Sequence, residues 1–392
     1  MNKQPSPSPT ARYCEDTDKL LSAFSSAVTE DDQLLFSSIV STELSDWQRQ
    51  QIENPPQIFN RQDTLLACHW HPEFVPMELC RKRIETMFPG VREQLSIPTQ
   101  HNVLMSYDDY SGVEVDCYAS KFNQKVQLLF HFHNSRLEQA HTFKAMLDHT
   151  FQYRSSQLFE FLASFSTPHT ERLEKAARET GATQQVVDFV TLLAAKLERL
   201  LDENRDRIDP ASIKNKLLRD FADGMRPRFG HLFINHAQAF IKEVKESVKR
   251  GFPLDYFYRA SEIIEEARSL GCGIVIPHPE QFWPILLRGY DVDGYEVWNP
   301  QSQRYTDFLI EVVNQHNRSR NGSQRELLIF MGDDCHMGEK TRPAEQQDME
   351  KCGREIGLQP PWDDLNIRKK LVSGAVDRPS VIRCYRERLA GF

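Results

Sequence analysis

Apolar positions recur with two different periods along the chain, and the changes of period divide it. Residues 1–17 are rich in Pro, Ser and Thr and are predicted to be disordered. DKLLSAFSSAV and DQLLFSSIVSTEL then space their apolar residues for two small helices, so 18–58 reads as a short helical segment, broken at Asn54-Pro55-Pro56. Next the pattern shortens. DTLLACHWH (63–71) reads as a buried strand, ELCRKRIETMF (78–88) as a helix, and NVLMSY, GVEVDCYAS and KVQLLFHFH as three further strands. From Ser135 to about Leu270 apolar residues fall three and four apart, the spacing of helices, with helix starts at Thr167-Pro168 and Asp209-Pro210 and a closing Gly after each of the last two helices. Strands return in GCGIVIPHP (271–279), GYEVWN (294–299) and ELLIFMGDDCH (326–336), with helices expected at 280–288 and about 302–317. Alternating strands and helices with polar residues at strand ends are the pattern of a β/α barrel or a related α/β fold.

Composition narrows the class. With 392 residues, 40% of them apolar, the chain can bury a sizeable core as one large domain with an insertion or as two domains. A formal charge of −8 argues against a protein whose affinity comes from neutralising long nucleic-acid tracks. No stretch approaches a membrane span, and the start lacks the apolar run of a secretory signal. Eight cysteines without a C-x-x-C pair are expected to be buried, reduced thiols of a cytoplasmic protein.

The candidate chemistry sits at strand ends. His69 and His71, two apart in a strand, share a face and can share a metal. Asp334 and His336 repeat that spacing with a carboxylate. His101 follows a TQHN turn, Glu114 sits in a GVEV strand, and His278 ends an apolar strand. Mixed imidazole and carboxylate ligands suit Zn, Mn or Fe rather than Ca, and a carboxylate such as Glu114 can bridge two ions. His141, His149, His169, His231, His236 and His316 lie on expected helices or loops and read as surface or packing residues.

In order, HWH (69–71), TQHN (99–102), SGVEV (111–115), EIIEEARSLGCGIVIPHP (262–279), DGYEVWN (293–299) and GDDCH (332–336) resemble the motifs of the polymerase and histidinol phosphatase (PHP) superfamily of metal-dependent phosphoesterases. The resemblance covers roughly 60–140 and 255–342. It implies a distorted (β/α)7-type barrel built from 59–136 and 263–345. An all-helical insertion or cap would span 137–262, and a C-terminal helical tail, 346–392, would pack on the barrel. It implies two or three divalent ions held by His69, His71, His101, Glu114, His278, Asp334 and His336. A further family histidine matches either His133 or His131, of which His133 is taken as a ligand, while a literal alignment puts Gln127 in that slot. The acid of the family's S-D-G segment is absent after HWH, leaving Glu73 or Glu78 to serve, and Glu296 is expected to be structural.

The activity this implies is hydrolysis of a phosphate ester by a metal-bridged hydroxide, without a nucleophilic Ser or Cys. The substrate would be a small phosphomonoester, a nucleotide or an oligonucleotide end, its phosphate clamped by Arg288, Lys340 or Arg81. The Arg81–Arg83 run reads more readily as a solvated helix face than as a phosphate clamp. A nuclease acting on single strands through MRPRFGHLF and RGFPLDYFYR, and a weakened barrel kept as a binding or regulatory module, are the alternative readings.

Overall fold

The computed structural model describes residues 20–391 apart from 167–169, 320–324, 345–346 and 373. The expected disordered start, Cys14, the Thr167-Pro168 helix start and His169 lie outside the described residues.

Contacts divide the chain into two units. The described residues up to Thr42 join Gln152–Pro253 in a helical unit, whose core includes Phe36, Phe161, Phe189, Leu193, Phe221 and Phe240. The sequence reading bounded the insertion at 137 and 262. Two packing choices move those limits. The helix Glu30–Val40 enters this unit because Gly224, lacking a Cβ, lets Leu35 close against it. The same helix brings Asp32, which caps it through Thr29 and neutralises buried Lys196 at 2.5 Å. The helix His141–Phe151 belongs instead to the other unit, where Phe143 meets the rings of Phe130 and Phe132.

The second unit, Glu43–Phe151 with Leu254–Phe392, is α/β. Its strands are β1 (Thr64–Ala67), β2 (Trp70–His71), β3 (Glu93–Ser96), β4 (Met105–Tyr107), β5 (Tyr110–Ala119), β6 (Gln124–His133), β7 (Gly273–Ile276), β8 (Gly294–Trp298), β9 (Leu328–Met331) and β10 (Cys335–His336). One six-stranded sheet runs β4-β5-β6-β7-β8-β9, antiparallel as far as β7 and parallel beyond it. Two short parallel pairs, β1 with β3 and β10 with β2, stand beside it. The expected helix at 78–88 is Met77–Met87, that at 302–317 is Thr306–Arg318, and 280–288 is a 3-10 segment, Pro279–Leu287.

The six-stranded sheet is not closed into a barrel, so the expected architecture stands in its coarser form, mixed α/β. The interruption has an identifiable occupant. Where β1 and β9 would exchange backbone hydrogen bonds, the buried Gln359 amide donates from Nε2 to Leu66 O at 2.7 Å and to Met331 O at 2.6 Å. Its Oε1 accepts from Trp362 Nε1 at 2.8 Å. Farther along, Asp334 N donates to His69 O at 2.8 Å. Across the sheet, β5 meets the segment after β3 through a single parallel bridge, His101 with Glu114.

Cys68, Cys80, Cys117, Cys272 and Cys335 are buried and free, while Cys352 and Cys384 are partly exposed. Among the described residues no helix is long and apolar enough to cross a membrane.

Among the described residues, Gln359 is the side chain that satisfies both carbonyls at the interruption. Gln359→Leu is expected to leave both without donors and to cost roughly 2–4 kcal/mol, at about 1–3 kcal/mol per buried unsatisfied group. Urea unfolding checks this; an unchanged midpoint would mean that the seam is held elsewhere.

Candidate metal centre

The pairing of β2 with β10 assembles half of the site. Its register sets Cys335 opposite Trp70 and His336 opposite His71. Side chains alternate along each strand, so Trp70 and Cys335 point into a buried apolar cluster while the flanking residues share the other face. The two i, i+2 pairs thus lie side by side, and the His71 and His336 rings stack at 4.4 Å.

The other half comes from three separate segments. β5 carries Glu114, which the bridge to His101 fixes in register, with Asn102 N donating to Glu114 O at 2.7 Å. Gly112 permits that approach, since a Cβ there would run into Pro98 O. His101 stacks on His71 at 4.4 Å. His278 follows β7 with φ of 28°, and its N–H donates to Glu296 Oε2 at 3.0 Å. Asp334 has φ of 45°, while Glu73 and Asn102, beside the cluster, both have φ of 55°. Non-glycine residues in this region cost on the order of 1–3 kcal/mol each and persist where their surroundings over-determine them.

All seven core residues nominated from the sequence meet here. Three groups of ligand atoms could hold metal ions: His69, Glu114 and His278; His69, His71 and Asp334; His71, His101 and His336. Glu114 faces two ways. Its Oε1 lies 3.9 Å from His69 Nε2 and 3.5 Å from His278 Nε2, and its Oε2 lies 3.7 Å from His71 Nε2 and 2.5 Å from His101 Nδ1. Asp334 Oδ1 sits 3.4 Å from both His71 Nε2 and His336 Nε2 and 3.7 Å from His69 Nε2. The nitrogens His69 Nε2, both of His71, and His278 Nδ1 are buried without a hydrogen-bond partner. Buried polar atoms without partners are rare, and His69 Nε2 and His71 Nε2 lie among the oxygens of Glu114 and Asp334, an arrangement that a divalent cation can satisfy.

A surrounding layer orients these ligands. Glu296 Oε1 accepts from His69 Nδ1 at 2.6 Å, which turns Nε2 toward the cluster. Gly332 is required, because a Cβ would overlap the Glu296 carboxylate. Gln100 accepts from Glu73 N at 3.0 Å, and the Glu73 carboxylate lies 3.4 Å from His336 Nδ1. Asn102 and Lys125 hold buried Asp116, anchoring β5 behind Glu114.

Charge follows geometry. Burial would push the His69 imidazole down, yet Glu296, Asp334 and Glu114 together raise it to about 10. Burial and the neighbouring His101 and His336 hold His71 down at about 3. Burial works against ionisation of Glu114, but His101 and His278 bring its carboxyl well below the usual range; His336 and His71 do the same for Asp334. His278 and His336 are raised, against burial, by Glu114 and Asp334 respectively.

Other nominated residues are not brought to the cluster. His133 caps the turn after β6, 2.8 Å from Ser135 Oγ, so the ligand role assigned to it has no geometric basis. His131 is buried, with Nε2 donating to Cys68 O at 3.0 Å and Nδ1 accepting from Tyr385 O–H at 2.6 Å, which leaves no nitrogen for a metal. Gln127 pairs with Asp116, two residues beyond Glu114 on β5. Lys340 is spent inside the protein, donating to Cys352 O at 2.6 Å and Glu355 Oε1 at 2.9 Å. Arg83, expected on a solvated face, is buried on the same Glu355, while Arg81 pairs at the surface with Asp108. Arg288 lies over the Tyr290 ring at 5.2 Å and engages no carboxylate among the described residues.

Two residues beside the cluster escaped the sequence reading. Buried Arg354 donates to Asp334 Oδ2 at 2.6 Å, and Gln301 donates to the same oxygen. Neither lies in a motif, and Arg354 falls in a stretch without periodicity. Glu73, proposed as a substitute acid, is adjacent to the site, whereas Glu78 is exposed on the helix Met77–Met87. No family model matches the chain, and no curated protein sequence matches it.

Protons and metal compete for the same faces. His69, His278 and His336 hold protons more tightly than an ordinary imidazole, so metal uptake near neutrality displaces protons and tightens as pH rises. Titrating apo protein with Mn or Zn between pH 6 and 9 should give a Kd that falls by up to about tenfold per pH unit for each proton displaced. A pH-independent Kd would show that these imidazoles are not ligands.

Proposed function

We propose that the chain is a metal-dependent phosphoesterase of the PHP kind, using two or three Mn, Zn or Fe ions on a small phosphomonoester, a nucleotide or a nucleic-acid end. One observation carries the reading: the two oxygens of buried Glu114 address different sets of imidazoles, the disposition of a carboxylate bridging two ions. The distorted (β/α)7 reading of the scaffold draws support from the His101–Glu114 bridge, which ties β5 to the segment after β3, and from Gln359, which ties β9 to β1. Reduced, unpaired cysteines fit a cytoplasmic setting.

Divalent ions bound there would supply Lewis acidity at a phosphoryl oxygen and a strong nucleophile at neutral pH. The chain's own residues do the positioning. Glu296 fixes the His69 tautomer, with the proton on Nδ1 and Nε2 directed inward. Arg354 and Gln301 hold Asp334 Oδ2, leaving Oδ1 toward His69, His71 and His336. Of the three cations nominated for phosphate, Arg288 is the one not already committed to a carboxylate.

Purified protein is expected to contain Mn, Zn or Fe and to hydrolyse an aryl phosphate with added Mn. His69→Ala and Asp334→Ala should abolish turnover with the fold intact, and Glu296→Gln should lower it by roughly 10–100-fold. Wild-type protein lacking both metal and turnover would contradict the enzyme reading and favour a binding module. Activity retained in His69→Ala would contradict the ligand set.

A further inference from the structure

A cavity of about 1110 Å³ lies at the start of β1, the end of the strand away from His69 and His71. Its wall includes Trp362, Leu371 and Arg378, and exposed Arg61 and Arg368 stand at its rim. Arg378 is the anomaly. Its side chain is 7% exposed, and among the described residues its only hydrogen bond runs from Nη1 to Thr64 O at 3.0 Å. Nε and Nη2 are buried without a partner, although a guanidinium carries five N–H donors. The nearest carboxylate oxygen, on Asp363, stands 3.7 Å from Nη2 on a side chain 76% exposed, where solvent screens the pair. A buried charge so poorly compensated is costly, and proteins rarely keep one without a counter-ion.

The remaining acids do not fill that role. Asp377 is turned to cap the helix Arg378–Ala390, accepting from Ser380 N at 2.8 Å, and Asp63 is exposed at the rim. Arg378 is also the first residue of that 13-residue helix, whose N-terminal dipole adds to the positive potential. Arg61 and Arg368 engage no carboxylate among the described residues. Trp362, whose ring centre is 6.0 Å from the Arg378 guanidinium, and Leu371 give the wall an apolar part.

We propose that this cavity is a binding site for a small organic anion, a carboxylate or phosphate on an apolar body, with Arg378 as its counter-ion. Held by one hydrogen bond, Arg378 can turn its spare donors into the cavity, where a two-oxygen anion accepts both. Arg61 and Arg368 attract the anion at the rim, and the Trp362 and Leu371 wall packs its apolar body. The site is separate from the metal centre and does not depend on the function proposed for it.

Calorimetric titration of the full chain with phenylphosphonate tests this. A saturable site is expected in wild type that persists in Asp334→Ala, where the metal centre is disabled, and that in this background weakens roughly tenfold or more on adding Arg378→Gln, the range for loss of a charged hydrogen bond. The paired surface change Arg61→Ser with Arg368→Ser should weaken binding several-fold and serves if Arg378→Gln does not fold. Absence of saturable binding, loss of it in Asp334→Ala, equal affinity for neutral benzyl alcohol, or unchanged affinity in a folded Arg378→Gln or in the surface pair would each overturn the proposal.

Discussion

Glu114 is fully buried, ionised and set among four imidazoles, and the organisation of the α/β unit follows from that one carboxylate. A carboxylate in such a position is unfavourable unless cations surround it on several sides. The neighbouring imidazoles of His69 and His278, both raised, meet the need in part. They leave His71 under opposing pressures, since protonating it beside His101 and His336 is unfavourable, and its two nitrogens remain without partners. Divalent ions held by these residues would remove the conflict, because every imidazole could then be neutral while the acids stay charged. The strained backbone at His278 and Asp334 has the same logic: local conformational cost is accepted so that atoms from distant segments converge.

The C-terminal segment serves both the sheet and the site. Within a few residues, Arg354 holds Asp334, Gly357 N donates to Asp333 Oδ2 at 2.7 Å, and Gln359 spans β1 and β9. Buried Asp333 is raised by its burial to about 8 and tied to this segment. The strand end that presents Asp334 and His336 is therefore fixed from behind by a segment outside every recognisable motif.

That division explains what could be read from the sequence. The H-x-H and D-x-H spacings were legible because side-chain alternation in a strand is a local rule, and His278 was legible because an apolar run delivers it to a strand end. Arg354, Gln301 and Gln359 were not, since their roles depend on contacts with residues far away in sequence. β3 was missed because three of the four residues of EQLS are polar and the strand extends no farther than its pairing with β1. His133 looked like a ligand because its neighbour spacing imitates His69 and His71. Its strand instead ends in a turn that takes up its ring nitrogen. The limits of the helical unit depended on which core Phe143 and Leu35 would join, which helical periodicity does not encode.

Paramagnetic resonance of the Mn-loaded protein tests the central claim most directly, since a carboxylate shared by two ions couples their spins. The account predicts an exchange-coupled two-Mn spectrum in wild type that gives way to isolated Mn signals in Glu114→Ala. Isolated six-line Mn spectra from fully loaded wild-type protein would contradict it.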